Sequence, residues 1–120
     1  MPAPVSIPVV SQIEAMLKGE VDWLFKAWHG CAPLDPRPFL TASREDLEHY
    51  FIEHPDLAQA YYDQQQRIES DNEIDRIETD ADSYTVSYLD HGSRRFERRF
   101  GTLAGAVTEH LLRVYGLAGR

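Results

Sequence analysis

An α+β fold is expected for this chain of 120 residues, with N-terminal helices, a three-stranded antiparallel β-meander and a C-terminal helix. Three observations predict it. Apolar residues recur at spacings of three and four through the first half, the period falls to two after Asn72, and helical spacing returns after Thr102. Helical and strand segments that segregate along a chain build a small antiparallel sheet with helices packed on one face.

The first helix is expected over 11–29. Ser11-Gln12-Ile13-Glu14 has the capping-box pattern, in which the serine hydroxyl and the glutamate carboxylate each satisfy a free amide at a helix start. Ile13, Leu17, Val21, Leu24, Phe25 and Trp28 then share one face, with Met16 at its flank, and Gly30 provides the stop. Residues 1–10, with prolines at 2, 4 and 8, are expected as an extended leader. Pro33, Pro36 and Pro38 each lack an amide donor, so 31–39 reads as a loop. Ser43-Arg44-Glu45-Asp46 opens the next helix with another capping pattern, followed by Leu47, Tyr50, Phe51 and His54 at helical spacing. Proline is tolerated at a first helical position, so Pro55 starts a separate helix over 55–69 with Leu57, Ala58, Tyr61 and Ile68 turned inward.

Strands are expected over 74–78, 83–89 and 94–100, divided by turn signals at Thr79-Asp80-Ala81-Asp82 and Asp90-His91-Gly92-Ser93. A slip of one residue would move every side chain to the opposite face, so the apolar pattern sets the register. Pairing Tyr88 with Phe96 and Tyr84 with Phe100 gathers the aromatic residues on one face. That register needs an odd-numbered connection, His91-Gly92-Ser93, and therefore a bulged turn. Thr102 caps the last helix, in which Leu103, Ala106, Val107, Leu111 and Val114 form the buried stripe and Gly116 marks the end.

Composition points to one domain over 1–120, since no linker divides it and a 42% hydrophobic, 27% charged chain can bury a modest core. Twenty acidic against twelve basic residues, a net charge of -8, repel a phosphate backbone and favour basic partners, which argues against nucleic acid. No stretch approaches the roughly 18 apolar residues that a membrane-spanning helix requires, so no membrane association is expected. The single cysteine, Cys31, forms no internal disulfide and is expected as a buried or idle thiol, which suits a reducing compartment, the cytoplasm.

Chemistry-bearing patterns are weak. His49 and His54 are the nearest histidine pair, and five residues set them about 140° apart around a helix, wrong for the i, i+4 zinc arrangement. Asp71-Asn72-Glu73-Ile74-Asp75 begins like a calcium loop, but Arg76 stands where its turn glycine is required. The sequence has no glycine-rich phosphate loop, nucleophile elbow or Cys-x-x-Cys pair. No metal, cofactor or catalytic residue is expected.

Two charged segments point instead to protein binding. Glu69, Asp71, Glu73, Asp75, Glu78, Asp80 and Asp82 fall at alternate or nearly alternate positions, with Arg76 the one base among them. A negative sheet face or edge would result, suited to a basic active-site cleft or to keeping an edge strand from pairing with another chain. In 94–99, alternation sends Arg95, Glu97 and Arg99 to one side and Arg94, Phe96 and Arg98 to the other, and ion pairing with the acidic strand is expected. Tyr61, Tyr62 and Trp23 offer either aromatic surface, the residue type that anchors interfaces, or partly buried packing. The candidate partner-binding set is Asp71, Glu73, Asp75, Glu78, Asp80, Asp82, Tyr61 and Tyr62.

Over 83–113 the pattern is more specific. Tyr84-Thr85-Val86-Ser87-Tyr88, Asp90-His91-Gly92, Phe96-Glu97-Arg98-Arg99-Phe100, Thr102 and the helix 106–112 resemble the C-terminal part of bacterial immunity proteins that neutralise polymorphic or type VI secreted toxins. Such proteins show an aromatic strand, an acidic-basic-Gly turn, a Glu-Arg-Arg strand and a closing amphipathic helix. His91 departs from the arginine common in that turn, and Gly105 from an acidic helix former. The resemblance implies a cytoplasmic protein that binds one cognate toxin and occludes its active site, without a cofactor, through a surface that varies within the class. An acidic inhibitor suits a toxin whose pocket is basic because it handles nucleic acid or NAD. The alternatives are an adaptor or chaperone that delivers a secreted effector, and a small enzyme.

Overall fold

The computed structural model describes residues 6–68 and 73–120. The expectations for the first five residues and for Glu69 and Asp71 lie outside the described residues. The elements are α1 Val9–Lys18, α2 Val21–His29, a 3-10 turn Arg37–Phe39, α3 Arg44–Glu53, α4 Pro55–Gln66, β1 Ile74–Asp80, β2 Ser83–Asp90, β3 Ser93–Phe100 and α5 Leu103–Val114. The strands form one antiparallel sheet in the order β1-β2-β3. The fold is α+β.

The organising element is α5. Every residue over 104–112 is buried, because this helix packs on the sheet on one side and on α3 and α4 on the other. The Thr102 hydroxyl caps it by accepting from the Gly105 amide, 3.1 Å away. At Gly105 itself, a Cβ would stand 3.2 Å from the Phe100 ring and 3.1 Å from Thr102 Oγ1. A larger residue there would press on the Phe100 ring and the capping hydroxyl, which must then give by a few tenths of an ångström, so the site favours glycine over the acidic residue expected. The helix closes in a Schellman motif: Gly116 takes φ 72°, and the Leu117 amide reaches back to the Leu112 carbonyl at 2.7 Å.

The helix expected over 11–29 is two helices. Gly19 adopts φ 69°, and the Gly19 and Glu20 amides bond to the Met16 and Ala15 carbonyls, another Schellman ending. The apolar pattern stays in phase across the break, burying Ile13, Val21 and Phe25, while Trp28 remains exposed. The Ser11 capping box does not form, because α1 starts two residues earlier behind Pro8, whose carbonyl accepts from the Gln12 amide. Nor is the segment before Ser11 wholly an extended leader. Ile7 is buried, and its carbonyl accepts from Gln12 Nε2, whose side chain also holds Thr41 and the Ala42 amide. Ser43 and Asp46 form the expected reciprocal capping box of α3. Helix α4 starts at Pro55 as expected but ends at Gln66. Leu57, Ile68 and Val114, expected inward, are exposed, and so is Cys31.

Ile77 pairs with Val86 at the buried centre of the sheet, and Tyr84 pairs with Phe100 as the apolar pattern requires. Tyr88, however, pairs with Arg95 instead of Phe96. Asp90 opposes Ser93, so the connection is a two-residue turn with His91 at φ 49° and Gly92 at φ 83°, the backbone of a tight hairpin turn. The extra residue lies in the strand, at a bulge between Val86 and Tyr88 where Phe96 takes φ 55° and is exposed. Parity is therefore restored by a bulge within the ladder, and the turn stays tight.

Candidate functional site

The bulge also changes which arginines share a face. Arg94 and Arg99 pair opposite Leu89 and Thr85 on the outer face, whereas Arg95 and Arg98 lie opposite Tyr88 and Val86 on the inner one. Along the outer face β2 presents Ser83, Thr85 and Ser87, short side chains over which an arginine of β3 can reach β1. Arg94 meets Glu78 at 3.0 Å and Arg99 meets Asp80 at 3.4 Å. Arg95 lies 3.2 Å from Asp90. The expected ion pairing is present, but it spans the middle strand.

A uniformly negative sheet face consequently does not form. Glu78 and Asp80 are paired, Asp75 turns to the inner face, and Asp82 is exposed in the β1–β2 turn. Glu73 stands exposed at φ 55° ahead of β1. Tyr61 is buried and does not provide aromatic surface. Tyr62 is half-buried, with its hydroxyl 2.6 Å from Thr79 Oγ1, while Trp23 is exposed.

Under the sheet lies a carboxylate that the sequence reading missed. Glu109 of α5 is 1% exposed and takes three guanidinium groups: Arg44 at 2.8 Å, Arg98 at 2.9 Å and Arg113 at 3.0 Å. Burial alone would push this carboxyl up, but the hydrogen bonds and charge of Arg113 and Arg44 hold it below its ordinary range. Arg44 continues to the Ala118 and Arg120 carbonyls, and Arg113 to the Phe96 carbonyl at the bulge. The signal in the sequence was Glu109 and Arg113 at i, i+4 within a mostly apolar helix beside an arginine-rich strand.

A second polar contact ties α4, α5 and β1 together. His110 Nε2 lies 3.0 Å from the Asp75 carbonyl, so it carries the proton, and Nδ1 accepts from the Tyr61 hydroxyl at 2.6 Å. Burial holds His110 below its ordinary pKa and pushes the Tyr61 hydroxyl well up. Both ring nitrogens are thereby committed to structure. These residues line a cleft of about 500 Å³ with the half-buried Asp75, whose carboxyl burial pushes up against the pull of His110 and Arg113.

A second concentration of acids lies on α3 and α4, where the His49 imidazole stands 2.9 Å from Glu53 and Asp46 serves the α3 capping box. Glu45, Asp46, Glu48, Glu53, Asp56 and Asp63 project from these helices, and among them only Glu48 is half-buried while the rest are exposed. Arg44 is the one lysine or arginine in the two helices, and its guanidinium is committed to Glu109 and the C-terminal carbonyls. Ile52 is 62% exposed among these carboxylates. Beside this face, α1 and α4 flank an open groove of about 370 Å³ lined by Leu17, Tyr50, Leu57, Ala60 and Tyr61, with Glu14, Lys18 and Gln64.

Among the described residues, no three histidine, cysteine, aspartate or glutamate side chains converge to hold a metal ion, and no helix is long and apolar enough to cross a membrane. No family model, curated protein or solved structure matches the chain.

Proposed function

We propose that this chain is an immunity protein, which binds a cognate secreted toxin and covers a basic active site that handles a phosphate-bearing substrate, nucleic acid or NAD. The observation that carries the reading is the segregation of charge. Glu78, Asp80 and Asp90 of the sheet are each paired with an arginine of β3, whereas α3 and α4 present six acids with no available lysine or arginine of their own, Glu53 meeting only the His49 imidazole. Such a face accelerates encounter with a positive cleft and repels acidic partners. In the segment that resembles immunity proteins, Arg98 and Arg99 hold Glu109 and Asp80. Those motif residues therefore serve the scaffold, which leaves the helices as the partner-facing surface.

Co-expression with the product of the gene immediately upstream tests the reading. A stable complex and relief of that product's toxicity are expected. Absence of both would overturn it, and a complex that leaves the toxic activity intact would support the adaptor alternative.

A further inference from the structure

The α4 stripe is only partly covered. Periodicity turns Leu57 inward with Ala58 and Tyr61, and those two are buried, yet Leu57 is 39% exposed because α1 rests on α2 and α3 and leaves the groove toward α4 open. The walls of that groove are apolar, its charged lining is Glu14 and Lys18, and Asp56 lies near its Tyr50 wall. Burial raises the pKa of the Tyr50 hydroxyl, and the nearby carboxylates of Glu14 and Asp56 raise it further. The Tyr50 ring stacks on His54, with centroids 4.3 Å apart, which fixes the aromatic wall. Lys18 stands where the groove meets the cleft beside Asp75, a junction that Leu17, Tyr61 and Gln64 also line.

We infer that the groove between α1 and α4 receives an amphipathic helix of the partner, its apolar residues seated on Leu17, Tyr50 and Leu57 and its lysine or arginine side chains directed to Glu14 and Asp56. Charge complementarity identifies this occupant: an apolar helix bearing acids would meet Glu14, Asp56 and the α3–α4 face with like charge. Two facing helices with an open apolar seam provide the geometry of helix-in-groove recognition. The inference rests on the proposed binding of a basic toxin and names the part of it that enters.

The test uses the full chain and a synthetic amphipathic peptide of leucine and lysine at helical spacing, followed by amide chemical shifts. Saturable shifts centred on Leu17, Tyr50, Leu57 and Ala60 are expected, with affinity lowered about tenfold or more by Leu57→Arg and, independently, by Glu14→Lys. The unfolding midpoint should stay unchanged for Glu14→Lys, which is exposed, and shift only modestly for Leu57→Arg, which is 39% exposed. A leucine–glutamate peptide, and a lysine peptide with serine in place of leucine, should not bind at the groove. Absence of binding, shifts spread over the acidic helices, or affinity indifferent to both variants would overturn the inference. If the toxin itself is neutralised equally by wild type and Leu57→Arg, the groove assignment fails while the immunity reading stands.

Discussion

The sheet and the α3–α4 pair are both rich in acids, yet the two regions use them in opposite ways. In the sheet Glu78 and Asp80 of β1 are paired with arginines of β3 across the middle strand, and the buried carboxylate beneath it, Glu109 of α5, has three arginine partners, Arg44, Arg98 and Arg113. On α3 and α4 five of the six acids are exposed, and the one arginine of these helices, Arg44, is committed to Glu109. Net charge alone does not separate these cases. What separates them is whether a cation lies within reach of the element that carries the acid, and that decides whether an acidic residue stabilises the fold or is available to a partner.

The largest effect should come from removing the carboxylate that most resembles a core residue. Glu109→Gln leaves the nearly buried Arg113 guanidinium without its counter-charge, and breaking a buried pair in this way costs about 3–5 kcal/mol. Urea unfolding measures it. A loss comparable to that of an exposed pair would show that the network is not a structural centre.

His110 should produce the next effect, and it is pH-dependent. Its folded pKa lies below the ordinary value of 6.5, so the native state binds fewer protons than the unfolded chain. Its contribution is present above pH 6.5 and is lost as pH falls through the depressed folded value, at up to about 1.4 kcal/mol per pH unit. Unfolding curves between pH 7 and pH 5 should show this slope in wild type, reduced in His110→Gln. Asp75 has the opposite sign. Its carboxyl is raised by burial, so the charged form weakens the fold at neutral pH. Asp75→Asn should raise the unfolding midpoint there, and the gain should vanish in acid once both chains are neutral at this position.

Smallest of all should be the effect of separating Glu78 from Arg94, which lie on the open sheet face. Glu78→Gln should move the unfolding midpoint far less than Glu109→Gln, and added salt should erase the difference. A shift as large as that of Glu109→Gln would mean that the sheet pairs hold the fold together and are not simply charge compensation.

Much of this architecture was legible because its signals are local. The Ser43–Asp46 box, Pro55 and Thr102 each mark a helix start through the hydrogen-bonding requirement of a few neighbouring residues. The break at Gly19 was hidden because Ile13, Val21 and Phe25 stay in phase across it. The parity argument detected an extra residue in the hairpin, but counting residues does not say whether it sits in the turn or at Phe96. The candidate site was less legible. Whether Glu78 or Asp56 is available to a partner depends on arginines brought near by tertiary packing, and Tyr61, on the inward stripe of α4, is buried with its hydroxyl bonded to His110, which lies 49 positions away.

The association rate of the cognate toxin tests the central claim most directly. It should be compared for wild type, for Glu53→Lys with Asp56→Lys on the helical face, and for Glu78→Gln with Asp80→Asn on the sheet. The helical variant should associate about tenfold or more slowly and with a shallower salt dependence, whereas the sheet variant should match wild type within about twofold. Slowing confined to the sheet variant, or equal slowing by both, would contradict the assignment of the partner-facing charge to α3 and α4.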